Sequence, residues 1–148
     1  MKKHVISLLI VTAVFFYYDT STFAMLKPSD PTEDSYELKI QDILMLLLGE
    51  DIERAVNHYY EEYLTESPSV YPYQVDIAEV ERVEGFRSFH FRLTLELTPV
   101  VGPHIPVGKD RLTFEISPII PDDVKLTNFE HIETYELPPH WQHLILQK

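Results

Sequence analysis

Phe89-His90-Phe91-Arg92-Leu93-Thr94-Leu95-Glu96-Leu97 alternates without a break between apolar and polar residues. A period of two places Phe89, Phe91, Leu93, Leu95 and Leu97 on one face and His90, Arg92, Thr94 and Glu96 on the other. This is the pattern of an antiparallel strand with one face on a core and one open to water. Upstream, Glu84-Gly85 is a turn signal. Before it, Tyr71, Tyr73, Val75 and Ile77 alternate, and the phase then slips to Val80 and Val83, which predicts a bulge near Ala78-Glu79. Downstream, residues 99–109 read as a loop with three prolines and two glycines. Leu112, Phe114 and Ile116 form a third strand, and Pro118 and Pro121 bracket a turn. Val124, Leu126, Phe129 and Ile132 give a fourth strand with another phase slip.

The apolar face of such a sheet needs a cover, and the sequence supplies one upstream. Ile40, Leu44, Leu48, Ile52, Val56, Tyr60 and Leu64 recur every fourth residue, beside a second row of Ile43, Leu47, Ala55, Tyr59 and Tyr63. Together they make one helical stripe. Gly49 interrupts it, and Glu50-Asp51 can start a fresh helix, so two helices joined at Gly49 or one bent helix is expected, ending near Leu64. The expected fold is α+β: an N-terminal helical segment on a curved four-stranded antiparallel sheet, cystatin-like in architecture. The sheet curls around the helix and leaves its other face open.

The chain begins with Lys2 and Lys3, then an uncharged run over residues 5–18, then small and polar residues ending Thr22-Phe23-Ala24. This order predicts a secretory signal peptide over residues 1–24, cleaved after Ala24. The apolar run is too short for a membrane-spanning helix, and no second run approaches that length. Residues 25–35 form a flexible linker, residues 36–135 a single domain, and residues 136–148 an apolar tail containing Trp141, Leu144, Ile145 and Leu146. The tail either folds back on the sheet or docks elsewhere. The 148-residue chain has no cysteine and a net charge of −12, and loss of the leader makes it more acidic still. A disulfide-free exported domain fits a bacterial source, and its charge excludes nucleic acid and anionic lipid as partners once the signal is removed.

Four short motifs carry a resemblance: Gly85-Phe86-Arg87-Ser88-Phe89-His90-Phe91, Gly102-Pro103-His104-Ile105-Pro106, Phe114-Glu115-Ile116 and Asn128-Phe129-Glu130-His131. Their order and spacing, over residues 40–131, resemble a family of small exported proteins from spore-forming Gram-positive bacteria that is classed as a domain of unknown function. The resemblance implies a secreted protein and attaches no activity to it.

Two sets of residues are candidates for function. The first is the loop Val101, Gly102, Pro103, His104, Ile105 and Pro106, where prolines limit backbone freedom and aliphatics stand in place of polar residues. A pre-shaped apolar loop loses little entropy on binding; the plainer alternative is that it packs on its own sheet. The second is His90, His104 and His131, three imidazoles of a zinc-type ligand set, although no H-E-x-x-H spacing holds them together. His90, Arg92, Glu96 and Glu115 share the open face. There is no cysteine nucleophile, G-x-S-x-G or phosphate loop, and nothing asks for a cofactor. The expected function is a non-catalytic secreted module that binds an extracellular protein or peptide. The alternatives are an extracellular protease inhibitor that wedges the loop into a cleft, and a histidine-based metal-dependent activity.

Overall fold

A computed structural model describes residues 33–147. The leader expected over residues 1–24, and all but the last three residues of the linker expected over 25–35, lie outside the described residues. Helix α1 (Tyr36–Tyr60) is continuous. Ser35 caps it, its Oγ accepting from the Leu38 N–H at 3.1 Å, and Glu37 lies in the positive first turn. The helix ends four residues before Leu64: the Tyr63 and Leu64 N–H groups both turn back to the Tyr60 carbonyl. Gly49 neither breaks nor divides it. A Cβ at Gly49 would meet nothing within 4 Å, so this glycine carries only the entropic cost of its freedom in the unfolded chain. Gly49→Ala should therefore stabilise the fold by about 0.5–1 kcal/mol, read as a higher urea midpoint with an unchanged slope.

The strands are β1 (Val75–Arg82), β2 (Phe91–Leu97), β3 (Val100–Val101), β4 (Ile105–Pro106), β5 (Gly108–Ile116) and β6 (Val124–Thr134). β1, β2, β5 and β6 form an antiparallel four-stranded sheet in that order, and β3 and β4 pair in a separate small hairpin. Leu93, Leu95 and Leu97 are buried as the alternation requires. The β1–β2 register shifts between Ile77 and Glu79, at the expected bulge. Three expectations are corrected. Tyr71 and Tyr73 belong to a short 3-10 segment around Pro72–Gln74, since Pro72 cannot donate to a strand ladder, and β1 starts only at Val75. Phe89 precedes β2 and is exposed. Residues 99–109 are not an irregular loop: Val100 pairs with Pro106 and Val101 with Ile105.

The expected curl of the sheet around the helix is not seen. α1 lies across the strands, with Tyr59 stacked on Phe129 of β6 and Gln41 Nε2 donating to the Val75 carbonyl at the start of β1. The ends of the core are closed by other means. Val101 and Val107 come from the hairpin region and Leu137 and Leu144 from the C-terminal segment, and all four join the core of Ile52, Val56, Leu93, Leu95, Leu112 and Phe114. The C-terminal segment includes a 3-10 stretch, Pro139–Leu144. It is tied to the chain after α1 by Thr65 N–H to the Leu144 carbonyl (2.8 Å) and Leu146 N–H to the Tyr63 carbonyl (2.9 Å). Trp141 packs on Gly102 so closely that a Cβ there would clash with the indole ring.

Candidate functional site

A cleft of about 320 Å³ opens where the end of α1, the end of β6 and the C-terminal segment meet. Tyr59, Tyr60 and Tyr63 form one wall, His131, Thr134 and Tyr135 a second, and Leu137, Ile145 and Leu146 the third. Its volume is at the lower end of the range for small-ligand sites, and its lining is mostly apolar with a few convergent polar groups. Tyr59 is fixed by its neighbours. Its ring stacks on Phe129 and on His131 at centroid distances of 4.9 Å and meets Tyr60 edge-on. Burial and the adjacent Tyr63 push the Tyr59 phenol up to about 12, so it stays a neutral donor.

Beneath the cleft lies a buried carboxylate. Asp110 is fully buried and sits opposite His131 in the β5–β6 register. His131 Nδ1 is 2.6 Å from Asp110 Oδ1, and His131 Nε2 is 2.7 Å from Thr134 Oγ1. An ionised carboxylate can only accept, so Nδ1 carries the proton; in the neutral tautomer that this fixes, Nε2 accepts from the Thr134 hydroxyl. Burial pushes the Asp110 carboxyl up, against the downward pull of its hydrogen bond to His131. Asp110 Oδ2 and Tyr60 Oη are both buried without a hydrogen-bond partner of good geometry, and burial, then the Asp110 charge, raises the Tyr60 phenol. The chemistry of this pair is a positioned imidazole with an anionic partner on one side and a hydroxyl at the cleft on the other.

The residues singled out in the sequence fall in different places. Among the described residues, no three His, Asp or Glu side chains form a group able to hold a metal ion. His90 lies on the open face, beside Glu84 and Glu115. His104 sits at the tip of the β3–β4 hairpin, its Nδ1 2.9 Å from Tyr73 Oη and its ring over Tyr71. His131 faces α1 on the other side of the sheet. The zinc-type convergence of His90, His104 and His131 is thereby corrected: they stand on a strand face, a hairpin tip and the opposite strand face. In the loop, Val101 is only 3 % exposed and Ile105 packs against the core, so these two point inward. Gly102, Pro103, His104 and Pro106 remain exposed.

His90, Arg92, Glu96 and Glu115 do share the open face, as part of a lattice of ion pairs across the strands. Arg92 reaches Glu81 at 2.7 Å, Glu96 holds Lys109 at 2.7 Å and Arg111 at 2.6 Å, and Arg111 reaches on to Glu130. The hydrogen bond from Lys109, then that from Arg111, holds the Glu96 carboxyl below its usual range. Glu81, Glu96, Glu115 and Glu130 each have a basic partner within 4 Å, which argues for a solvated structural face.

Asp110 and Thr134 were not singled out from the sequence, although one signal was present. Asp110 has the same parity as Leu112 and Phe114, so an acid stood in the inward phase of a strand. An acid in that phase has to find a partner.

The domain described by a family model, DUF3888, a protein of unknown function, matches residues 40–133. Comparison with curated proteins and with solved structures gives no match. The match covers α1 from its second turn and all four strands of the main sheet, and the chain therefore belongs to the DUF3888 family.

Proposed function

We propose that the chain is an exported, non-catalytic module that binds an extracellular protein or peptide, with the tyrosine-walled cleft receiving one of its apolar side chains. The cleft carries the reading: it is apolar, and its Tyr59 wall is locked by stacking, so little ordering cost is left to binding. β6 supports it as an outer strand of the sheet, with no strand paired to its outer edge among the described residues. An extended peptide can add beside β6 and drop alternate side chains toward the cleft. The leader pattern of residues 1–24 supports export. Among the described residues no helix is long and apolar enough to cross a membrane.

The test is a titration with blocked ten-residue Thr/Val peptides carrying one central Trp, Leu or Lys, followed by nuclear magnetic resonance. Trp and Leu peptides should shift the signals of Tyr59, Tyr63 and Leu146, and the Lys peptide should not. Shifts confined to His104 and its neighbours would move binding to the hairpin tip, as the inhibitor reading requires. No shifts with any peptide would sink the peptide reading.

The Asp110–His131–Thr134 relay favours a second reading, acyl transfer. Thr134 Oγ would lose its proton to His131 Nε2 as it bonds to an ester carbonyl carbon. The same proton would then leave on the departing alcohol, and water would release the acyl group from Thr134. A nitrophenyl acetate assay distinguishes this reading: turnover abolished by both Thr134→Val and His131→Gln would establish it, and turnover unaffected by either would dismiss it.

A further inference from the structure

Helix α1 has two apolar faces, and the core uses only one. Met45, Leu48, Ile52 and Val56 are buried. At about 100° per residue, Tyr36, Ile40, Ile43 and Leu47 lie on the opposite side, with Leu46 next to them. These five are exposed, Leu46 at 74 % and Leu47 at 75 %. Further along the same outer face stand Glu50, Arg54 and His58, so the apolar stripe is confined to the first half of the helix. A helix that is apolar all round is normally covered on all sides, and monomers rarely leave an apolar patch larger than a few hundred Å² in water.

We infer that this stripe is a homodimer interface, occupied by the same stripe of a second copy running antiparallel about a two-fold axis between Ile40 and Ile43. The spacing argues for a second copy. Positions 36, 40, 43 and 47 are separated by four, three and four residues, a coiled-coil seam that reads the same in both directions. A two-fold interface requires a patch complementary to itself, and this one sets Tyr36 against Leu47 of the second copy and Ile40 against its Ile43. The area is of the right order: five such side chains offer about 600 Å² per copy, against roughly 800 Å² in a standard interface. A groove of about 310 Å³ between α1 and residues 69–75 continues the patch, with Leu46 and Gly49 on its rim. The contact is small, so the dimer is weak, on the order of 10 µM. The chain carries a net charge of −12, so two copies repel and the dimer tightens as salt rises.

The experiment is sedimentation equilibrium on the chain as the producing cell processes it, from about 1 to 500 µM, a range that brackets the expected constant. A monomer–dimer equilibrium that tightens with salt is expected. Leu47→Asp should weaken it roughly 30-fold or more and leave the melting temperature of the dilute monomer unchanged. An equal mixture of Ile40→Cys and Ile43→Cys chains should oxidise mainly to the mixed dimer, which fixes the antiparallel register. A monomer at every concentration would overturn the inference, as would a dimer indifferent to Leu47→Asp. So would a lowered monomer melting temperature in Leu47→Asp, because the stripe would then be covered by the chain itself. Binding of the monomer to phosphatidylglycerol vesicles, without dimers, would overturn it in favour of a membrane.

Discussion

Phe114→Ala should remove about 3–5 kcal/mol of stability, the largest loss expected of any single truncation in this fold. Phe114 is fully buried in β5, between Leu93 of β2 and Leu126 of β6. It is the bulkiest fully buried side chain of the core that α1 shares with the sheet. Its removal costs the transfer free energy of a whole ring, plus a cavity that rigid strands on both sides cannot close. The control is Thr94→Ala, one residue along from Leu93 and on the other face, which should stay within about 0.5 kcal/mol. Urea melts of both variants decide the matter. A Thr94→Ala loss equal to or above that of Phe114→Ala would mean that the assignment of faces is inverted.

Gly108→Ala should cost about 2–3 kcal/mol, at the upper end of the usual overpacking range. A Cβ at this first residue of β5 would lie 2.6 Å from the Glu133 carbonyl oxygen, 2.6 Å from Tyr60 Oη and 2.9 Å from His131 Cε1. The carbonyl belongs to the ladder that pairs Lys109 with Glu133 and Gly108 with Thr134, so it cannot give way as a flexible side chain can. The same methyl presses on the two rings that flank Asp110, so the cleft should deform along with the loss. The measurement is a thermal melt paired with the Tyr59 and His131 ring signals in the native state. An unchanged melt with unmoved ring signals would show that the strand end has room to shift. Glycine to alanine thus has opposite signs at two positions of one chain: favourable at Gly49, where the space is open, and unfavourable at Gly108, where a backbone oxygen already occupies it.

The parts of the fold legible in the sequence are those decided by contacts near in sequence. Leu93, Leu95 and Leu97 announced their strand because one of its faces is dry and the other wet. The slip after Ile77 announced its bulge because a bulge inverts that phase. The β3–β4 hairpin did not show, because two-residue strands are too short to have a period, and Pro103 and Pro106 read as loop residues. The outer face of α1, where Ile40, Ile43 and Leu47 are exposed, is ambiguous in the sequence for a related reason. Ile43 and Leu47 complete an apolar pattern around the helix, and periodicity cannot say which part of an all-round pattern faces the core. The site was the least legible. Asp110 and His131 meet only once β5 and β6 are in register, and the shift between Lys109 and Asp110 sets that register. The sequence shows both residues, but only the pairing across strands makes them partners.

The C-terminal wall of the cleft also has a consequence for timing. Ile145 pairs with Leu64 across a long separation in the chain, whereas β1, β2, β5 and β6 are neighbours joined by short connections. Contacts that close long loops form after local ones, because the closure entropy must be met first. The sheet and α1 can therefore assemble before the third wall arrives. In the finished protein that wall is held by a few backbone bonds, the Trp141–Gly102 contact and the burial of Leu137 and Leu144, fewer ties than the strand ladders make, so it opens at a lower free energy than the sheet unfolds. In amide exchange, Thr65 and Leu146 should lose their protons by local opening, while β2 and β5 exchange only on global unfolding. The cleft would then alternate between a three-walled and a two-walled form within a folded molecule. A bound peptide that touches Leu146 would be recorded as slower exchange at Thr65 as well as along the β6 edge.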